Sequence, residues 1–323
     1  MSRGALRYAA LGALAVLGIG LAVLLGRAEL RPPLETSFTG AFQVVGAPLK
    51  LADRMTSRVL PVGALDEREL GDVLRRSLDA QLAREPTREQ AYLDSLMAEI
   101  QPFTGRPFHY RAYVVWYYGP NAMALPGGVV LVTHSLLSTL HSEAELVSVL
   151  AHEVGHIERG HCFDAVRFEL LARKVGAEPL GALADLGTQI LFAHSYSKNL
   201  EHEADDYAFE LLANSRYDPA GESGAFRSLQ RWEQRARVAG TPQRASPMRD
   251  YFTSHPPLEI RSAEYAGRAQ AWWARHPQAR RYVGQRNLAG MVARRDHDIA
   301  AEWVGAPPAQ AGAHSTQAES NGK

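Results

Sequence analysis

His152, Glu153 and His156 fall in the string HEVGH, two imidazoles four residues apart with a carboxylate directly after the first. At about 100° per residue, positions i and i+4 of a helix lie on one face a turn apart, so both rings can grip one metal ion. Zinc held by two neutral imidazoles and one carboxylate keeps a fourth position for water and lowers that water's pKa to about 7. Glu153 then stands where a general base is needed. It can take a proton as water attacks an amide carbonyl and return it to the leaving amine. The alternative for so short a string is an exposed His/Glu helix face.

A third ligand must come from elsewhere. His161 lies nine residues after His152 and Gly160 eight, whereas the pattern HExxHxxGxxH has them at ten and seven. On a continuous helix His161 points about 180° away from His152. A capping or surface role is therefore expected, and His161→Ala should leave metal affinity unchanged. Glu201, in SKNLEHEAD at 197–205, is the stronger candidate. Asp205 shares its helical face, so Glu201 can bind zinc while Asp205 orients a ligating histidine through its second ring nitrogen; Glu203 points elsewhere.

With HEVGHIERGH at 152–161, SKNLEHEAD at 197–205, NAMALPGG at 121–128 and HPPLEIR at 255–261, the chain resembles the M48 (Ste24/HtpX/Oma1-like) zinc metallopeptidases over about residues 60 to 270. The resemblance implies one zinc per chain, with Glu201 as third ligand beside His152 and His156, and Asp205 next to the ligands. It implies an α+β, predominantly α-helical, gluzincin-like domain with a small β-sheet beside the HExxH helix. Ser197-Lys198 stands where the family usually has Ser-Arg, which keeps the charge and loses the planar fork. The chain lacks the multiple spans of the Ste24 and HtpX branches and looks more like single-anchor bacterial members. By analogy the substrates are unfolded or misassembled envelope proteins. A non-enzymatic reading stays open, in which the chain grips extended segments as a chaperone or assembly factor with its zinc site plugged.

The elements around these residues are readable. Ser142 and Glu145 have capping-box spacing, Leu146, Val149, Leu150, Val154 and Ile157 recur three and four apart, and Gly160 offers a stop. Residues 110–118 read as a strand, and 121–133 as two short strands broken at Pro126-Gly127-Gly128. The strand edge at Asn121, Ala122, Met123, Ala124 and Leu125 can pair with an extended peptide and hold it over the metal; a plain core hairpin is the competing reading. His255, on a stiff loop before Pro256-Pro257, can stabilise an oxyanion, occupy the open metal position or simply cap a helix. Residues 66–100 read as helical with a stripe of Leu70, Val73, Leu74, Leu78 and Leu82, and Pro219 opens another helix to about Val238.

The ends decide location. Residues 8–26 carry no charge and follow Arg3 and Arg7. At 1.5 Å per residue they suffice for most of a hydrocarbon core, and the positive-inside bias leaves the body outside. The expected division is a cytoplasmic end at 1–7, an anchor or signal peptide at 8–26, a linker at 27–65, the peptidase domain at 66–275 and a basic, then disordered, tail at 276–323. The setting that follows is a single-pass protein of the bacterial inner membrane with a periplasmic body, or a soluble periplasmic one after signal cleavage. With 323 residues and 46% apolar content the chain can bury a sizeable core, and a formal net charge of zero offers no nucleic-acid surface. Cys162, the lone cysteine, excludes an internal disulfide.

Overall fold

Alternation and apolar spacing decide which segments meet. The computed structural model describes residues 63–82, 87–116, 119–164, 166–167, 197–238 and 258–305, all within the unit Leu60–Lys323. The expected anchor at 8–26, His255 and the tail past residue 305 lie outside the described residues. Among the described residues no helix is long and apolar enough to cross a membrane.

The stretch 66–100, expected to be helical, holds two helices, α1 (Ala64–Leu82) and α2 (Arg88–Ile100). Thr87 starts the second by accepting a hydrogen bond from the Gln90 N–H through its side chain. Such a cap satisfies one of the four orphan donors of a helix start. Tyr92, Leu93, Leu96, Met97 and Ile100, spaced three and four apart, form the buried face of α2. Gln90 ties this helix to the sheet, donating to Ala112 O (2.7 Å) and accepting from Val114 N (3.0 Å).

The three expected strands are present as β1 (Arg111–Val115), β2 (Ala122–Leu125) and β3 (Val129–Thr133). Their order is β1-β3-β2, with β1 parallel and β2 antiparallel to the central β3. The β2–β3 turn uses Gly127 and Gly128 at φ +76° and +96°. A Cβ on Gly127 would fall 2.7 Å from the Gly71 Cα of α1, so this glycine serves close helix approach as well as the turn.

Thr133 caps the short α3 (His134–Thr139), and Ser142 caps α4 (Glu143–Glu158), the HExxH helix, by accepting from Glu145 N. The expected capping box is only half formed: the Glu145 carboxylate accepts from the His141 N–H and the Ser228 hydroxyl instead. Packed on α4 are α5 (Lys198–Asn214) and α6 (Gly221–Val238), with α7 (Leu258–Arg275) against α6. The result is a predominantly α-helical domain with a small sheet beside the HExxH helix.

Residues 276–305, expected as a basic tail, fold instead. β4 (Arg280–Tyr282) pairs antiparallel with β5 (Trp303–Gly305) around α8 (Gln285–Gly290). Gly284 O and Val283 O accept from the first two N–H groups of α4. Beside them the buried Glu143 carboxylate accepts from Tyr217 (2.7 Å), Tyr92 (3.0 Å) and the Arg294 N–H (3.0 Å). Burial pushes this carboxyl up to about 7 although those three donors favour its charged form. The arginines that suggested a tail alternate with buried Tyr282, Leu288 and Ala293, which explains why this segment folds.

Candidate active site

Helical period brings His152 and His156 to one face of α4, and a close helix crossing brings Glu201 to meet them. Gly155, within the HEVGH string, makes that crossing: a Cβ there would lie 3.1 Å from Tyr207 Cβ and 3.2 Å from Ala204 Cα of α5. The Nε2 atoms of His152 and His156 are 3.1 Å apart, and each lies 3.5 Å from a Glu201 carboxylate oxygen. All three residues are buried.

These donors fit a zinc ion. Tetrahedral ligands with bonds of about 2.0–2.1 Å are separated by roughly 3.3–3.4 Å, which is the scale of the observed triangle. The chemistry agrees, since two imidazoles and one carboxylate are the ligand types such a site takes.

Asp205, one helical turn past Glu201, sits 2.8 Å from His152 Nδ1. Arg261 of α7 holds this carboxylate with two prongs, Nε to Oδ2 at 2.7 Å and Nη2 to Oδ1 at 2.5 Å. Burial alone would raise the Asp205 carboxyl, yet its bonds and charges with His152 and Arg261 hold it below the usual range. Burial alone would lower the His152 imidazole, but Asp205 and Glu201 raise it to about 10. Arg268, two turns along α7, pairs with Asp206, so two neighbouring Arg–Asp pairs dock α7 onto α5.

Arg261 belongs to the HPPLEIR motif, but its partnership was not read from sequence; spacing says nothing about a contact 56 residues away. Glu222 was also missed. It accepts from the Ser148 hydroxyl of α4 and is fully buried, and burial together with the Asp205 charge pushes its carboxyl up to about 8.

His161 is neither a surface nor a capping residue. It is buried, and its Nδ1 lies 3.0 Å from His156 Nδ1. The helix does not continue through this residue: α4 ends at Glu158, and Gly160 at φ +78° turns the chain so that His161 folds back. Glu203, expected to point elsewhere, approaches His161 Nε2 at 3.4 Å.

Beside Glu153 lies a cavity of about 40 Å³, lined by His152, Val149, Ala225, Leu229, Leu258 and Ala122 of β2. Glu153 itself is buried and contributes to the lining. Asn121 to Leu125, the expected peptide-binding edge, are all buried at the α4 side of the sheet, 1–4% exposed.

Comparison with known proteins agrees with this geometry. Metalloprotease LoiP of Escherichia coli (strain K12) is 29% identical over 141 residues, covering 40% of this chain and 54% of that protein. Metalloprotease YcaL of the same organism is 28% identical over 168 residues, covering 49% and 61%. The Beta-barrel assembly-enhancing protease of that organism is 26% identical over 240 residues, covering 68% and 47%. The chain thus spans about half the length of the curated relatives it matches. The family model described as Peptidase family M48 matches residues 87–269, more than half of the chain and every element that carries the donor triangle. By that match, the chain belongs to peptidase family M48.

Proposed function

We propose that this protein is a zinc-dependent endopeptidase whose metal is held by His152, His156 and Glu201. The observation that carries the reading is the donor triangle of 3.1, 3.5 and 3.5 Å, buried and adjoining a cavity that Glu153 also lines. The bound zinc would supply Lewis acidity toward a water and a peptide carbonyl.

The side chains divide the remaining work. Glu153 takes the proton of the attacking water and hands it to the leaving amine. Asp205 accepts the Nδ1 proton of His152, which leaves Nε2 as the ligand atom, and Arg261 holds Asp205 in place. The apolar cavity walls accept a small apolar side chain next to the scissile bond; about 40 Å³ is room for two or three waters. The edge of β2, at the end of the sheet order and spanning Asn121 to Leu125 with its flank, is where an extended substrate would pair. His255 acts on the oxyanion or on the open metal position.

Two relatives named as metalloproteases and one named as a Beta-barrel assembly-enhancing protease support unfolded or misassembled envelope proteins as substrates. The uncharged run at 8–26 after Arg3 and Arg7 supports a single-pass inner-membrane protein with a periplasmic body. The test is digestion of unfolded casein by the zinc-loaded protein. Cleavage should stop with a chelator and return with zinc; cleavage that survives metal removal would overturn the reading.

A further inference from the structure

His156 presents Nε2 to the other donors, so its ligand role requires the ring proton on Nδ1. That nitrogen lies 3.0 Å from Nδ1 of His161, with the rings edge to face at 69°. Two ring nitrogens at this distance share one proton. If His156 Nδ1 carries it, His161 Nδ1 accepts, and the single proton of neutral His161 must then sit on Nε2. His161 Nε2 in turn faces the Glu203 carboxylate at 3.4 Å. That arrangement of protons along Glu203, His161 and His156 frees His156 Nε2.

We propose that His161 is a positioning residue for the metal site, fixing the tautomer and ring orientation of His156, and that Glu203 holds His161 in the matching tautomer. The inference rests on the reading of His156 as a metal ligand. The two ligand histidines are supported by different chemistry: His152 by a carboxylate backed by a buried arginine, His156 by a neutral imidazole backed by a half-exposed carboxylate.

The backbone is shaped for this contact. Gly160 at φ +78° brings His161 under the last turn of α4, and a Cβ there would meet nothing within 4 Å. The glycine is therefore needed for its backbone angle and not for space.

The experiment measures zinc affinity of the full chain by competition with a chelator, and the visible spectrum of the cobalt-substituted protein as a signature of the ligand set. His161→Phe keeps a ring and removes the acceptor, whereas His161→Asn keeps an acceptor near the position of Nδ1. Partners of this kind change metal affinity by about 10- to 100-fold. His161→Phe should raise the zinc Kd by that factor and alter the cobalt spectrum. His161→Asn should recover to within a few-fold of wild type, and Glu203→Ala should fall between. Equal weakening by Phe and Asn would overturn the proposal, because lost packing and not a lost acceptor would be the cause. If His156→Ala loses zinc while His161→Phe binds it like wild type, this proposal alone fails. If His156→Ala retains wild-type affinity, the ligand assignment fails and takes the proposal with it.

Discussion

His152 Nδ1 and Asp205 Oδ1 are 2.8 Å apart, and Arg261 grips the same carboxylate with two nitrogens. A carboxylate on the outer nitrogen of a ligand histidine sets its tautomer and raises its basicity. Asp205→Asn keeps an acceptor but loses the charge, and should raise the zinc Kd by about 10- to 100-fold in chelator competition. Asp205→Ala should also destabilise the metal-free protein to denaturant. Breaking a buried pair costs about 3–5 kcal/mol, and the lower end applies because Glu201 remains 3.8 Å from Arg261.

Gly155 lies in the close packing of α4 on α5. Gly155→Ala gains about 1 kcal/mol of helix propensity but overpacks a contact of 3.1–3.2 Å, which typically costs about 1–3 kcal/mol. Thermal unfolding should therefore show a small net loss. The larger effect should be on zinc affinity, since the same displacement moves Glu201 off the two histidines. Unchanged affinity would mean that the crossing distance does not govern the site.

The cavity beside Glu153 predicts a size preference. Ala225→Leu should fill much of its 40 Å³ and lower kcat/KM for sites with a larger apolar side chain next to the scissile bond, sparing those with glycine or alanine. One methylene in such a pocket is worth about 1–3 kcal/mol, so the change in selectivity should be at least tenfold. Mass spectrometry of the peptides released from an unfolded protein reads it directly, and an unchanged cleavage pattern would assign the cavity another role.

Glu143 gives the fold a pH dependence that is separate from the metal site. Its folded pKa of about 7 exceeds the ordinary 4.5, so the folded state binds the extra proton. The stabilisation is fully present below about pH 4.5 and is lost as pH rises through about 7. Relative to Glu143→Gln, wild type should lose up to about 3 kcal/mol across that window in urea unfolding. Parallel stability profiles for the two proteins would contradict the assignment.

Local signals carried much of this structure. Capping residues and apolar spacing revealed α4, the acidic repeat at 197–205 revealed α5, and glycines with β-branched runs revealed the β2–β3 hairpin. Helical phase alone put Glu201 and Asp205 on one face, as found. What stayed hidden depended on contacts between distant segments or on one backbone angle. Arg261 reaches Asp205 from another helix, and His161 returns to His156 because Gly160 breaks the phase on which the sequence reading relied. The fold of 276–305 was obscured by its arginines, although Tyr282, Leu288 and Ala293 mark a buried face. The break between α1 and α2 was readable after all, since Pro86-Thr87 before Arg88-Glu89-Gln90 has the composition of a helix start.

The central claim is that Glu153 does proton transfer beside a metal held by other residues. The most direct measurement pairs zinc affinity with casein cleavage for wild type and Glu153→Gln. The amide keeps the shape of the buried side chain and removes its basicity, so the variant should bind zinc within about twofold of wild type. Its cleavage rate should fall by about 10²- to 10⁴-fold. Cleavage at the wild-type rate by a zinc-loaded Glu153→Gln protein would contradict the account.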